Sequence, residues 1–259
     1  MTLVHLKSTD DLQKMRYAGK ITAETLAYLK EDVIRPGITT LDIDRLTREY
    51  IVSKGGTPSF LNYKIPGIAS PEFPASICIS INQEIVHGIP TTKVIQLGDL
   101  VSLDLGVNYD GFHGDHAITF VVGTTPSKDT SRLLTTTELA LKNAIAQCVV
   151  GHNLLDISYA IEVTFLENNV GIVRDLGGHG IGRNLHEFPM VPNWRCPVKN
   201  MKLIKGMTLA LEPVGILGKE DTKTLADGWT VVSKDDSMSA HFEHTIVITD
   251  GPPEVLTSI

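Results

Sequence analysis

The 259-residue sequence has no long apolar run, few cysteines and no excess of positive charge. No stretch approaches the roughly 20 apolar residues of a membrane-spanning helix. The first ten residues mix charged and hydroxyl side chains, so we expect no secretory signal, which would place an apolar region after a basic one. The net charge of −7 argues against a nucleic-acid-binding protein that depends on phosphate contacts.

The three cysteines are Cys78, Cys148 and Cys196, an odd number at wide spacing. This pattern predicts neither a disulfide framework nor a thiolate metal site, and we expect reduced, buried thiols in a cytoplasmic protein. Apolar residues make up 42% of the chain and charged residues 20%, which is the composition of an ordinary globular protein with a sizeable core.

The order of predicted elements is two helices followed by strands, and then a further helix. Apolar residues at helical spacing predict helices over residues 8–32 and 131–150, and a helix over 40–54 lies between a Pro-Gly and a Gly-Gly pair. Residues 76–124 alternate as strands do, and the turn Asn108–Gly111 predicts a hairpin. On the strand over residues 100–107, this alternation places Asp104 on the face opposite the apolar residues Val101, Leu103 and Leu105.

The second half of the sequence resembles the first. A glycine followed four residues later by Leu-Asp-Ile opens a predicted helix in both halves. Asp104 and Glu212 each follow a glycine by six residues, and Asp115 and Glu243 each begin a segment of acid, His, small residue and Ile. We therefore expect a duplicated helix–helix–hairpin unit, with chance similarity between two amphipathic hairpins as the alternative.

Two such halves facing each other would bring four carboxylates together. Each acid alone is best explained as a surface strand position, but the repeat makes that explanation weak for all four. Four carboxylates in one cavity repel each other unless positive charge compensates them. Two divalent ions supply that charge, as in two-metal sites. The sequence therefore predicts a metal site.

Glycine-flanked histidines add to this prediction. His179 lies in a Gly-rich turn, His186 follows seven residues later, and His87 ends a β-like run. A lone histidine is more often a structural residue than a ligand, so these positions shift the interpretation only moderately. Three further histidines, His116, His241 and His244, lie beside the predicted ligands and are candidates for supporting them.

The sequence resembles the type I methionine aminopeptidases of the pita-bread fold. The matching stretches are Ile77–Pro90, Asp99–Asp115, Gly178–Pro189, Gly206–Pro213, Asp227–Val231 and Ser239–Thr249. The resemblance implies an α+β protein with two pseudo-symmetric halves, roughly residues 8–125 and 130–251. They would form one catalytic domain, 1–259, whose curved, mainly antiparallel sheet is covered by helices.

The resemblance also implies roles for individual residues. Those that match the family's metal ligands are Asp104, Asp115, His179, Glu212 and Glu243. Glu212 also matches the residue that accepts a proton from the attacking water, and His87 and His186 match the two histidines beside the scissile bond. The residues expected to bind substrate are Phe60, Tyr63, Cys78, His87, His186 and Trp229.

Several positions depart from the family pattern, although all five ligand residues are retained. Residues 64–74 form a longer loop, and Leu185 replaces an aromatic residue before His186. Phe60 stands where Cys is common, and Gly106 stands where Thr is common. His116 replaces a second Thr and His241 a Gln. We expect these departures to affect the specificity pocket and the rate of turnover.

The expected function is removal of the initiator methionine from nascent proteins by hydrolysis at two divalent ions, which could be Mn, Fe, Co or Zn. The expected partners are the N-termini of nascent polypeptides, with the ribosome as a candidate, for a monomer that binds neither nucleic acid nor membrane. Two alternatives remain: a proline-specific aminopeptidase or dipeptidase of the same fold, and a non-catalytic binding protein. The first usually carries an extra N-terminal domain, and the second typically loses ligands.

Overall fold

A computed structural model describes residues 4–65, 67, 71–198 and 200–259. Within these ranges the chain has four α-helices and fifteen strands. The helices are α1 (Thr9–Tyr28), α2 (Thr40–Ser53), α3 (Lys128–Ala146) and α4 (Leu154–Glu167). A π-helical turn, Leu29–Val33, extends α1. The predicted helices are confirmed, although the third begins and ends a few residues earlier than expected. None of the described helices has the length and apolar content of a membrane span.

The strands are mostly short. In chain order they are β1 (Thr57–Pro58), β2 (Cys78–Ile81), β3 (Glu84–Val86), β4 (Leu100–Tyr109), β5 (Phe112–Val121), β6 (Gly171–Ile172), β7 (Gly177–Gly180), β8 (Glu187–Pro192), β9 (Thr208–Leu211), β10 (Val214–Ile216), β11 (Thr222–Thr224), β12 (Val231–Ser233), β13 (Ser239–His241), β14 (Glu243–Val247) and β15 (Glu254–Val255).

A nine-stranded antiparallel sheet forms the centre of the fold. Its main order is β1-β4-β5-β14-β9-β7-β8, with β2 paired to β4 and β15 paired to β14. Two three-stranded sheets, β13-β10-β6 and β11-β12-β3, complete the described strands. The β4–β5 hairpin turns where the sequence predicts, because Asp110 and Gly111 both adopt the positive φ that such turns need. In the second half, β9 and β14 pair as neighbours, but residues 212–242 between them contain β10 to β13 instead of a tight turn.

Local sequence explains where the helices begin. Ser8 caps α1 in a capping box with Asp11: the Ser8 hydroxyl accepts the Asp11 N–H at 3.2 Å, and the Asp11 carboxylate accepts the Ser8 N–H at 3.0 Å. At α4 the Asp156 carboxylate accepts the Asn153 N–H at 2.7 Å. These caps satisfy N–H groups that the first helical turn leaves without partners.

The alternation on β4 sorts its side chains as predicted. Val101, Leu103 and Leu105 are fully buried in one apolar cluster with residues of α1 and α2, and Asp104 lies on the other face. The thiols of Cys78 and Cys148 are free and buried, as expected. The expectation of a buried thiol is wrong for Cys196, which is half-buried in the loop after β8.

Candidate functional site

A cavity of about 250 Å³ opens on the face of the central sheet that carries Asp104. The residues lining it are Phe60, Tyr63, Ile65, Phe73, Cys78, His87, Asp104, Asp115, His179, Leu185, His186, Met190, Glu212, Trp229 and Glu243. All eleven residues for which the sequence predicts a metal, catalytic or substrate-binding role are among them. The structure thus brings together side chains that are up to 183 positions apart in the chain.

Four neighbouring strands deliver the four carboxylates. Asp104 lies on β4, Asp115 on β5 and Glu243 on β14, whereas Glu212 directly follows β9. Strands in a sheet are about 4.8 Å apart, so acids on successive strands point into one space. Asp104 and Glu243 are both in register with Ala117 of β5, one on each side of it. The strand between them, β5, carries only the small side chain of Ala117 at this position, which leaves the cavity open.

Hydrogen bonding fixes the tautomer of His179. Its Nδ1 lies 2.9 Å from the carbonyl oxygen of Gly180, which can only accept, so Nδ1 carries the proton. Burial lowers the pKa of His179 to about 4, so the ring is neutral near pH 7. Its Nε2 lone pair faces Glu212, whose Oε1 is 3.6 Å away. A neutral imidazole whose other nitrogen donates to a carbonyl is a typical metal ligand.

Three buried carboxylate oxygens have no hydrogen-bond partner among the described residues: Asp104 Oδ1, Asp115 Oδ1 and Glu243 Oε1. Leaving a buried polar oxygen unpaired costs free energy. Ligand atoms of Asp115, His179 and Glu243 also lie within 4.8 Å of one another. Oxygen and imidazole donors so arranged fit a divalent transition metal. Asp104 and Glu212 fall outside this tight group of three, although both line the same cavity.

The carboxylates strongly influence each other's protonation. Burial, followed by repulsion from neighbouring carboxylates, raises the pKa of Asp104, Glu212 and Glu243 well above the ordinary range. Burial raises the pKa of Asp115 to about 7. Without a cation, the cluster therefore holds protons near neutral pH. A divalent ion favours the ionised form of each acid and displaces those protons.

Two further histidines face the cluster. His87 follows β3 in the left-handed conformation, at φ 59°, which turns the chain directly after the strand. Burial lowers the pKa of His87 to about 4 and that of His186 to about 2, so both rings are neutral near pH 7. The Tyr63 hydroxyl lies 2.5 Å from His186 Nδ1. Because burial raises the pKa of Tyr63 to about 12, this hydroxyl keeps its proton.

Aromatic rings form the apolar wall of the cavity. Phe73 meets Phe60 edge-to-face with 6.3 Å between ring centroids, and it meets Trp229 in the same way at 5.3 Å. The Trp229 indole N–H donates to the Pro71 carbonyl at 3.0 Å, which ties this wall to the end of the loop over residues 64–74. Residues 66 and 68–70 of that loop lie outside the described residues.

The sequence does not predict a pocket role for Phe73, Ile65 or Met190. For Phe73, the sequence offers one signal, an aromatic residue shortly before β2. Because the loop before it is long, the sequence does not show that this residue faces the pocket. His241, proposed as a support for the ligands, is buried, and its Nε2 has no hydrogen-bond partner in the part of the chain that the structure describes. This nitrogen lies 3.9 Å from Glu212 Oε2 and 3.9 Å from Glu243 Oε2. His116 and His244 stack on each other with 4.3 Å between ring centroids.

Comparisons with known proteins agree with this geometry. The sequence model of metallopeptidase family M24 matches residues 13–250. The chain is 45% identical over 257 residues to a methionine aminopeptidase of Clostridium perfringens, covering 99% of this chain and 100% of that protein. A crystal structure of methionine aminopeptidase from Thermotoga maritima superposes with a TM-score of 0.93 at 38% identity, covering 99% and 100% of the two chains.

A prolidase from Pyrococcus furiosus matches with a TM-score of 0.78 at 20% identity, covering 98% of this chain and 65% of that one, which establishes the shared pita-bread fold alone. The site and fold define a metal-dependent peptidase. The chain belongs to metallopeptidase family M24 and, within it, to the methionine aminopeptidases.

Proposed function

We propose that this protein hydrolyses the first peptide bond of nascent proteins that begin with methionine, using two divalent ions. The observation that carries the proposal is one cavity that holds four carboxylates, three of them buried and that of Glu212 half-buried, and His179 beside an aromatic pocket. The metal ligands are Asp104, Asp115, His179, Glu212 and Glu243. Their donor set suits Mn, Fe, Co or Zn.

The apolar wall binds the side chain of the first residue. Phe60, Tyr63, Cys78 and Trp229 enclose an unbranched side chain of the length of methionine. The free α-amine of the substrate lies towards the carboxylates, which restricts cleavage to the N-terminus. Burial raises the pKa of the Cys78 thiol well above its usual range, so it stays protonated and serves as an apolar wall residue.

Two divalent ions, when bound, supply a water of lowered pKa and polarise the scissile carbonyl. Glu212 accepts the proton of that water and returns it to the leaving amine. The neutral rings of His87 and His186 donate hydrogen bonds to the reacting peptide and to its developing oxyanion. The Tyr63 hydroxyl, by donating to His186 Nδ1, leaves Nε2 of that ring protonated and able to donate.

Hydrolysis of tripeptides tests the proposal. Metal-stripped protein is reloaded with Mn, Fe, Co or Zn and assayed on Met-Ala-, Leu-Ala-, Pro-Ala-, Lys-Ala- and Met-Lys-initiated peptides. We expect Met-Ala to have the highest kcat/KM, charged first residues to be excluded, and the bulky second residue to slow cleavage. A pocket of this kind distinguishes one methylene by only about 1–3 kcal/mol, so leucine should be disfavoured modestly. If Pro-Ala or Lys-Ala were best with every metal, the methionine specificity would be wrong and a proline-specific peptidase would be favoured.

The proposal places the enzyme in the cytoplasm as a monomer, where nascent chains emerge from the ribosome. Sedimentation velocity of the metal-loaded protein should give a single species of one chain. Co-sedimentation with purified ribosomes, compared in low and high salt, would then show whether the ribosome is a partner as well as the source of substrate.

A further inference from the structure

Two departures from the family pattern, Phe60 and Gly106, lie in direct contact. The Ser59 N–H donates to the Gly106 carbonyl at 2.9 Å, which holds the segment after β1 close against β4. A Cβ atom added to Gly106 would lie 2.9 Å from Ser59 Cβ and 3.0 Å from Phe60 Cε1. Both separations are shorter than ordinary van der Waals contact between carbon atoms, about 3.5–4.0 Å. Any side chain at position 106 would therefore press on the Phe60 ring.

We propose that Gly106 is a specificity-determining residue, because the absence of its side chain lets the Phe60 ring lie in the wall of the first-residue pocket. The inference deepens the proposed function and rests on it. Phe60 is 8% exposed and lines the cavity, whereas Gly106 lies behind it on β4, two residues beyond Asp104. Gly106 touches no reacting atom and acts through the ring of Phe60.

The ring has little freedom to retreat from a larger residue 106. The ring also packs edge-to-face against Phe73, at 6.3 Å between centroids and an angle of 89°. Phe73 in turn packs on Trp229, whose N–H is held by the Pro71 carbonyl. Aromatic residues packed this way resist displacement because the interior has few voids. A side chain at position 106 would therefore push Phe60 towards the open side, which is the cavity, and would narrow the space for the first residue.

The pair also explains how this chain tolerates a bulky Phe60. A larger residue in a packed wall is accommodated best when a neighbour loses volume. Leu185, which also lines the cavity, is smaller than the aromatic residue usual at its position beside His186. Gly106, however, is the residue that lies against the Phe60 ring itself. The first-residue pocket thus depends on the identity of residue 106 as well as on the residues that line it.

A two-by-two set of variants tests the coupling: the parent, Gly106→Ala, Phe60→Cys and the double variant. Peptides beginning with Ala, Met and Leu are compared, and elemental analysis gives the metal content of each variant. The measured ratio is kcat/KM for the Met-initiated peptide divided by kcat/KM for the Ala-initiated peptide. We expect Gly106→Ala to lower this ratio by about tenfold, mainly through a higher KM for the Met-initiated peptide, with two ions still bound. In the Phe60→Cys background the same change should alter this ratio by less than about threefold.

The control substitution is Gly251→Ala, whose added Cβ would meet nothing closer than Thr249 Oγ1 at 3.8 Å, so all ratios should match the parent. An equal effect of Gly106→Ala in both backgrounds would assign the crowding to Ser59 and overturn the proposal, as would an unchanged ratio in the parent background. If Gly106→Ala fails to fold, a folded double variant supports the coupling, and an unfolded one overturns it.

Unfolding midpoints of the four proteins separate this inference from the proposed function. Phe60→Cys should reduce the destabilisation caused by Gly106→Ala whether or not methionine is the preferred first residue. If the metal-loaded parent cleaves no methionine peptide, the proposed function fails. In that case the unfolding midpoints alone test the contact between Gly106 and Phe60.

Discussion

Lys7 Nζ lies 2.5 Å from Glu187 Oε2, and both side chains are only 5% exposed. Glu187 is the residue after His186, and its Oε1 also accepts the Asn184 N–H at 3.1 Å. Lys7 donates in addition to the His5 carbonyl at 2.9 Å. This buried ion pair joins the segment before α1 to the loop that carries His186. A residue near the beginning of the chain therefore supports one that lies 179 positions later.

Breaking this pair from one side should be costly. Lys7→Met leaves the Glu187 carboxylate buried without its partner, and removing one member of a buried pair typically costs about 3–5 kcal/mol. Denaturant unfolding of the metal-loaded protein measures the loss. Lys7→Met combined with Glu187→Leu should recover much of it, because no lone charge remains. A loss of under about 0.5 kcal/mol for Lys7→Met would mean that the pair is solvated, contrary to its burial.

Asp104 and Glu243 should both be required for metal binding. Asp104→Ala or Glu243→Ala removes from the cavity a carboxylate whose buried oxygen has no hydrogen-bond partner among the residues that the structure describes. We expect each variant to lose activity and to bind at least one ion more weakly, as measured by elemental analysis after dialysis. Asp235→Ala is a suitable control, because Asp235 lies outside the cavity. Two ions bound tightly in both variants would contradict the dinuclear assignment.

Glu212 should be required for proton transfer. Glu212→Gln keeps the shape and one oxygen of the side chain but removes its basicity. Turnover should fall by at least the roughly 10²-fold that loss of a general base causes, with an unchanged circular dichroism spectrum. Because Glu212 is also a proposed ligand, the comparison is made at matched metal content. Near-normal turnover under those conditions would rule out this role.

The sequence contained enough information to predict residues that the structure brings to one cavity, but not how the aromatic wall of that cavity is packed. The alternation of Val101, Leu103 and Leu105 identified Asp104 as the side chain facing away from the core, because period two is a local property of a strand. The resemblance then supplied the other proposed ligands by motif.

Contacts between distant segments left no comparable signal. Phe60 and Gly106 were both noticed as departures, but nothing in the sequence indicates that they touch. Lys7 and Glu187 are 180 positions apart, and no periodicity links them. The sequence also did not predict the long segment between β9 and β14. Two strands can pair as neighbours whether a short turn or a long segment joins them.

The stability that the four carboxyl groups contribute to the metal-free protein should fall as pH rises through their titration. The folded-state pKa of Asp115 is raised to about 7, and those of Asp104, Glu212 and Glu243 lie well above their usual range. Between about pH 4 and 7 these carboxyl groups therefore bind more protons in the metal-free folded state than in the unfolded state, whereas the buried histidines, whose pKa values are lowered, bind fewer. The stability that the protonated carboxyl groups contribute is then lost as pH rises, at about 1.4 kcal/mol per pH unit for each extra proton that they bind.

Divalent metal should reverse this dependence. Metal binding requires the ionised carboxylates, so it competes with their protons and strengthens as pH rises through 7. We expect the rise in Tm on adding Mn to be small at pH 5.5 and to grow steadily up to pH 8. Calorimetric titration in two buffers of different ionisation enthalpy should also show proton release near pH 7. A rise in Tm that is the same at pH 5.5 and pH 8, with no proton release, would mean that the carboxylates are already ionised in the metal-free protein. In that case their burial would not control metal binding.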